Sequence, residues 1–147
     1  MYQRILVPVD GSDTSTRGLS EAIKLAKEQA ARLRILHVVC DPFVSAALMS
    51  AGYSPDLLPR LQAEGQAILD AAEAAARKHG VEDVEATLLD YRGAQIAEAI
   101  VAEAKSWRAD LIIMGTHGRR GFARAVMGSD AEYVVRHAPV PLLLIRS

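Results

Sequence analysis

The sequence has few of the features that mark secreted or strongly charged proteins. It contains a single cysteine, Cys40, so no disulfide can form within one chain, and we expect this thiol to be buried by packing. Its 17 lysines and arginines nearly balance 18 aspartates and glutamates. The resulting net charge of -1 gives no electrostatic reason to expect nucleic acid or an anionic membrane as a partner.

Long hydrophobic runs are also missing. The chain enters Ile5-Leu6-Val7 without a signal-peptide pattern, and no apolar stretch approaches the length needed to span a membrane. We therefore expect a protein of the cytoplasm that does not associate with membranes.

The common catalytic signatures are absent as well. There is no G-x-x-x-x-G-K-[ST] loop, no G-x-G-x-x-G after the first apolar run and no G-x-S-x-G turn. No nucleophile with a paired base stands out, and the four histidines are too scattered for metal-ligand spacing. We therefore expect neither catalytic residues nor a metal held by the protein itself.

What the chain does contain is an alternation of two periodicities. Short apolar runs typical of buried strands alternate with stretches whose apolar residues recur at helical spacing. Polar residues within 84–89 favour an edge position for that strand. We expect the preceding helix to end at Gly80 and the last helix to span Ser129 to His137. The expected strands cover residues 5–7, 33–39, 84–89, 111–114 and 141–145, with an irregular segment over 40–56.

This β-α-β-α-β-α-β-α-β pattern predicts one doubly wound α/β domain over residues 1–147. A five-stranded parallel sheet would carry helices on both faces. Such sheets bind ligands beyond the carboxyl ends of their strands, where the strand order reverses. The candidate site therefore comprises Pro8, Val9 and Asp10 after the first strand, Val38–Cys40 at the end of the second, and the chain from Gly115 onward.

A glycine-rich segment follows the fourth strand and gives the sharpest signal. Gly115 and Gly118 precede Gly128-Ser129, where the last helix begins, and a helix N-terminus favours anions. The alternative is that the glycines only form turns and that Ser129 only caps, since residues 129–132 read as a capping box. Similarly, Asp10 is either a ligand contact or a local structural residue that caps the following helix or forms an Asx turn. His37 is expected to pack within its strand.

Together these segments resemble the universal stress protein family. The G-x2-G-x9-G-[ST] arrangement looks like that family's ATP-binding signature, and the match runs in order through nearly the whole chain. The resemblance implies the strand order 3-2-1-4-5, a homodimer, and ATP with Mg²⁺ or Mn²⁺ bridging its phosphates. The other matching segments are residues 5–12, Leu36-His37-Val38 and residues 137–141.

The resemblance also implies roles for individual residues. The Asp10 carboxylate would face the nucleotide, and the Val38 backbone would contact the adenine edge. Glycines 115 and 118 would lie along the ribose and first phosphates. Gly128 and Ser129 would hold the outer phosphates.

One position departs from the expected pattern. Asp130 stands where a small or apolar residue is expected, and its carboxylate would repel phosphates unless a metal or an arginine intervenes. Arg119, Arg120 and Arg124 lie in the adjoining loop and are either such partners or solvated loop residues. We include Arg119 and Asp130 among the candidate nucleotide contacts.

The expected function is nucleotide-dependent regulation in a stress response, with slow or no ATP hydrolysis. The glycine loop contains no lysine, and no residue evidently positions water for attack on a phosphate. The alternatives are a weak ATPase or nucleotidyl-transfer enzyme, and a dimeric scaffold without nucleotide. The apolar edge strand over 140–145 is expected to pair with a second copy; the alternative is a monomer in which Pro139 and Pro141 protect this edge. The sequence does not name a protein partner.

Overall fold

A parallel sheet with helices on both faces forms the centre of the molecule. The computed structural model describes residues 1–39, 56–90, 95–117 and 127–146. The elements in chain order are β1 (Arg4–Pro8), α1 (Asp13–Gln29), β2 (Arg32–Val39), α2 (Leu57–Lys78), β3 (Val84–Asp90), α3 (Ile96–Ser106), β4 (Leu111–Gly115), α4 (Ser129–His137) and β5 (Leu142–Ile145).

The strands pair in the order β3-β2-β1-β4-β5, and every pair is parallel. The predicted fold class and strand order are therefore confirmed, as is the edge position of β3. The order in which strands are added to the sheet reverses between β1 and β4, because the crossovers from β1 run towards β2 and β3, whereas the crossover from β4 runs towards β5 on the opposite side. This is the switch point at which such a sheet opens a crevice.

Two hydrophobic layers, one on each face, explain why the central strands read as continuous apolar runs. Along β1, Ile5 and Val7 point to the layer beneath α1 and α2, whereas Leu6 points to the layer beneath α3 and α4. Ile113 and Ile112 divide in the same way on β4. All four isoleucines and leucines are fully buried, because successive side chains of a strand point to opposite faces.

Helix termini follow local sequence signals. The Ser12 side chain accepts a hydrogen bond from the Ser15 N–H and caps α1. Gly80 has φ +90° just after the end of α2, which confirms the predicted terminating glycine. Helix α4 has the predicted bounds, whereas Pro141 lies just outside β5 and contributes only its carbonyl, which accepts from the Ile112 N–H at 3.0 Å.

Charged residues fasten the amino ends of the strands. The Asp110 carboxylate accepts from the backbone N–H of Gln3 and Arg4, which joins the starts of β4 and β1. On the other side of the sheet, Arg34 pairs with both Glu85 and Glu103 and lies over the Trp107 ring. The polar pattern of β3 therefore serves a network that ties this edge strand to its neighbour.

Among the described residues, no helix is both long and apolar enough to cross a bilayer. Cys40 and the predicted irregular segment up to residue 55 lie outside the described residues.

Candidate functional site

A cleft of about 770 Å³ opens at the carboxyl ends of the strands, at the switch point between β1 and β4. It is bordered by the turn after β1, the ends of β2 and β4, and the amino ends of α3 and α4. Of the predicted site residues, those that line the cleft are Pro8, Val9, Asp10, Val38, Gly115, Gly128, Ser129 and Asp130. Gly118 and Arg119 lie outside the described residues, as do Arg120 and Arg124.

The turn after β1 is held by β2, which bonds to both the N–H and the carbonyl of Val9. The Val9 N–H donates to the Leu36 carbonyl at 2.8 Å, which extends the sheet pairing beyond the strand. The Val9 carbonyl lies 2.7 Å from Nδ1 of His37. His37 therefore does more than pack within its strand as predicted, because its ring reaches across to this turn.

Asp10 makes one of the contacts that the sequence left open, and its ligand role stays a prediction. Its carboxylate accepts from the Ser12 N–H at 2.9 Å, which is the geometry of an Asx turn. Its own N–H donates to Ser15 Oγ at 3.3 Å. The residue also lines the cleft, so the turn contact and a ligand contact are compatible.

Gly115 ends β4 where α1 begins, and the two backbones approach closely. A Cβ on Gly115 would lie 2.9 Å from Thr14 Cβ and 3.0 Å from the Thr14 carbonyl carbon. Glycine is needed here for packing, a reason that was not evident from the sequence, and the ligand role of Gly115 stays a prediction. The buried Thr14 hydroxyl then donates to the His117 carbonyl at 2.5 Å and fixes the first residues beyond the strand.

Gly128 brings the far end of the glycine segment back to its start. Its N–H donates to the Thr116 carbonyl at 2.9 Å, and a Cβ on it would lie 3.2 Å from that oxygen. Gly128 is also the N-cap of α4. The predicted capping box is therefore wrong: Ser129 is the first helical residue, and the Glu132 carboxylate pairs with Arg136 at 2.7 Å.

The N-terminus of α4 faces the cleft with mixed electrostatics. Exposed N–H groups and the helix dipole favour an anion at this end. Asp130 and Glu132 in the first turn have the opposite effect, and both line the cleft. Arg136 and His137 lie further along the same helix and line the cleft as well, so the Arg136 guanidinium adds a positive charge to the same surface.

Several lining residues were missed by the sequence reasoning. Tyr133 and His137 stack with ring centroids 4.0 Å apart on the cleft side of α4. Tyr133 follows Ser129 and Asp130 by four and three residues, and His137 follows Tyr133 by four, so their position on one helical face was readable in the sequence. Gln95 and Ile96 lie at the start of α3 and also line the cleft. No sequence signal placed them there, because they follow β3, which is not one of the two strands at the switch point.

Metal-binding clusters are not found in the described part of the chain, where no three of His, Cys, Asp and Glu converge. His79 lies at the end of α2, with Nδ1 2.8 Å from the Ala75 carbonyl. His137 makes the equivalent contact to the Tyr133 carbonyl at the end of α4.

Comparison with known proteins identifies the family. A profile described as the universal stress protein family matches residues 1–146. The chain belongs to the universal stress protein family. Universal stress protein MJ0531 of Methanocaldococcus jannaschii is 35% identical over 147 residues, covering 99% of this chain and 83% of that protein.

Solved structures of universal stress proteins share the fold. One from Burkholderia pseudomallei is 34% identical with a TM-score of 0.79, covering 99% of this chain and 97% of that one. A universal stress protein in complex with cAMP is 26% identical with a TM-score of 0.73, at 99% and 97% coverage. One from Archaeoglobus fulgidus in complex with dAMP is 25% identical with a TM-score of 0.72, at 99% and 98% coverage.

The contact between Gly115 and Thr14 gives a prediction about stability. We expect Gly115→Ala to lower the free energy of unfolding by roughly 1–3 kcal/mol, because the added methyl group meets backbone atoms that cannot move aside. Urea denaturation measures this difference. The control is Gly18→Ala in α1, whose Cβ would lie 3.5 Å from its nearest neighbour and which we expect to be neutral or stabilising. Equal stability of Gly115→Ala and the wild type would contradict the packing argument.

Proposed function

We propose that this universal stress protein binds ATP in the cleft and acts in the cytoplasm as a nucleotide-dependent regulator of a stress response. The observation that carries the proposal is the convergence of Asp10, Gly115, Gly128 and Ser129 on one cleft. The complexes of two relatives with cAMP and dAMP support an adenine nucleotide as the ligand class. No protein partner is proposed.

The adenosine part would lie at the ends of β1 and β2. Asp10 is a polar group that lines this part of the cleft, and its backbone N–H is held by Ser15 while its carboxylate accepts from the Ser12 N–H. The Val38 backbone would contact the adenine edge. Val9 contributes differently, because its N–H is already used by the Leu36 carbonyl and its carbonyl by His37. It shapes the floor of the cleft.

The phosphates would run towards α4. Gly115 and Gly118 would line the ribose and first phosphates, and Gly128 and Ser129 at the helix start would hold the outer ones. The hydroxyl of Ser129 is not required for capping, since Gly128 occupies the N-cap. Arg119 is the arginine that we propose as a further phosphate contact.

A divalent cation, Mg²⁺ or Mn²⁺, would bridge the phosphates rather than be held by a protein cluster. Asp130 lies in the first turn of α4 and lines the cleft, so its charge and those of the phosphates repel at short range. A bound cation reduces that repulsion. We propose slow or no hydrolysis, because the glycine segment offers no lysine to the transferred phosphate.

We also propose a homodimer through β5. This strand forms one edge of the sheet, and Leu143 on it is 41% exposed. The carbonyls of Pro141 and Ile145 face β4, so the backbone groups of Leu142 and Leu144 point towards the open edge of the described sheet. Two copies paired about a twofold axis would satisfy those groups on both chains.

The assignment of outer phosphates to α4 predicts a selective effect of Ser129→Ala. We expect ATP affinity to fall about two- to tenfold, the value of one hydrogen bond, while AMP affinity is unchanged. Isothermal titration calorimetry of the full chain with both nucleotides measures this. Ser20→Ala on the exposed side of α1 is the matched control. Equal losses for ATP and AMP would refute the placement, and a wild type that binds neither would refute the function.

The charge of Asp130 predicts a metal-dependent effect. In the presence of a chelator, we expect Asp130→Asn to raise ATP affinity by on the order of tenfold or less, because one repelling charge is removed. The increase in ATP affinity that added Mg²⁺ produces should be smaller in this variant than in the wild type. Asp13→Asn makes the same change of charge at the start of α1, outside the cleft, and should leave both values unchanged. The same metal dependence in Asp130→Asn and the wild type would show that this carboxylate does not face the phosphates.

The proposed interface predicts dissociation by a charge on β5. We expect the wild type to be dimeric at micromolar concentration and Leu143→Lys to be monomeric, because a lysine on an edge strand opposes strand pairing. Light scattering gives the masses. Ala71→Lys, on the exposed face of α2, adds the same charge elsewhere and should remain dimeric. A monomeric wild type, or a dimer in Leu143→Lys, would count against this interface.

A further inference from the structure

The side chain of His37 occupies a position between three elements. It extends from β2 to the turn after β1, where Nδ1 lies 2.7 Å from the Val9 carbonyl, and it borders the cleft. A carbonyl oxygen only accepts hydrogen bonds, so Nδ1 must be the protonated nitrogen. In the neutral ring this fixes one tautomer, with the proton on Nδ1.

The peptide unit that receives this hydrogen bond is the one that leads into Asp10. Its carbonyl, from Val9, accepts from His37, and its N–H, from Asp10, donates to Ser15 Oγ at 3.3 Å. Both polar ends of one peptide plane are thus held by side chains. Because rotation of that plane would redirect the Asp10 side chain, these two contacts set the direction in which the carboxylate enters the cleft.

Helix α2 packs against the other side of the ring. A Cβ on Gly65 would lie 2.5 Å from His37 Cδ2 and 2.9 Å from Nε2, far inside any tolerable contact. It would also lie 2.9 Å from Leu88 Cδ1 on β3. Gly65 is buried in the middle of α2, where glycine lowers helix stability relative to alanine. The space that it leaves for the imidazole explains why a glycine is present at this position.

From this geometry we propose that His37 is a positioning residue for nucleotide binding. Its Nδ1–H orients the Val9–Asp10 peptide and thereby the Asp10 carboxylate, and Gly65 provides the space in which the ring adopts that orientation. The inference rests on the proposed binding of an adenine nucleotide, but the local positioning exists with or without the ligand.

Two substitutions of His37 separate donation from packing. Asparagine places an amide N–H near the position of Nδ1, whereas leucine fills the space without a donor. In calorimetry with ATP and Mg²⁺, we expect His37→Leu to bind about two- to tenfold more weakly than the wild type, and His37→Asn to restore most of the loss. Equal weakening by both variants, or unchanged binding by His37→Leu, would overturn the proposal.

A second measurement needs no nucleotide. Hydrogen exchange of the Asp10 amide, followed by NMR, should be faster in His37→Leu than in the wild type and near normal in His37→Asn. ¹⁵N NMR of the wild-type ring should find the proton of the neutral imidazole on Nδ1. A proton on Nε2, or unchanged Asp10 exchange in His37→Leu, would contradict the positioning role. If the wild type does not bind ATP, the proposed function fails, while these readouts still decide the role of His37.

The glycine in α2 offers an independent test with a matched control. Gly65→Ala should displace the ring, accelerate Asp10 exchange and weaken ATP binding to about the extent of His37→Leu. Gly18→Ala is also a glycine-to-alanine change within a helix, but its Cβ would meet no atom closer than 3.5 Å, so both readouts should stay at wild-type values. Wild-type exchange and affinity in Gly65→Ala would show that the ring does not depend on this space.

Discussion

The close approach of α1 to the end of β4 is the constraint on which the cleft depends. Thr14 lies so near Gly115 that no side chain fits between them, and its hydroxyl holds the His117 carbonyl. The same first turn of α1 supplies Ser12 and Ser15, which fix Asp10. One helix start therefore joins the turn after β1 to the glycine segment after β4. The two halves of the candidate site meet because these backbones are in contact.

Rigid elements surround this junction on each side. The two fully buried layers keep β1 and β4 in place, and their parallel pairing brings both carboxyl ends to the same edge. Gly128 then closes the glycine segment by bonding to the Thr116 carbonyl, so α4 begins at a defined distance from β4. The described side chains at the borders of the cleft are therefore positioned by packed strands and helices.

The electrostatics of the cleft are balanced rather than uniformly positive. The amino end of α4 attracts anions, while Asp130 and Glu132 in its first turn oppose them. Arg136 offsets one of these charges through its ion pair with Glu132. This mixture of charges is the physical reason for the proposed dependence of nucleotide binding on a divalent cation.

The sequence by itself determined the architecture, because alternating periodicities admit few parallel topologies, and it placed Asp10, Gly115 and Gly128 at strand and helix ends. Its resemblance to the universal stress proteins determined the family. Only the tertiary structure explains why Gly115 and Gly65 are glycines. The atoms that a Cβ would meet, in Thr14 and in the His37 ring, come from distant parts of the chain. The tertiary structure also moved the cap of α4 from Ser129 to Gly128 and brought His37 to the Val9 carbonyl. Such contacts join residues far apart in the chain, and local patterns carry no information about them.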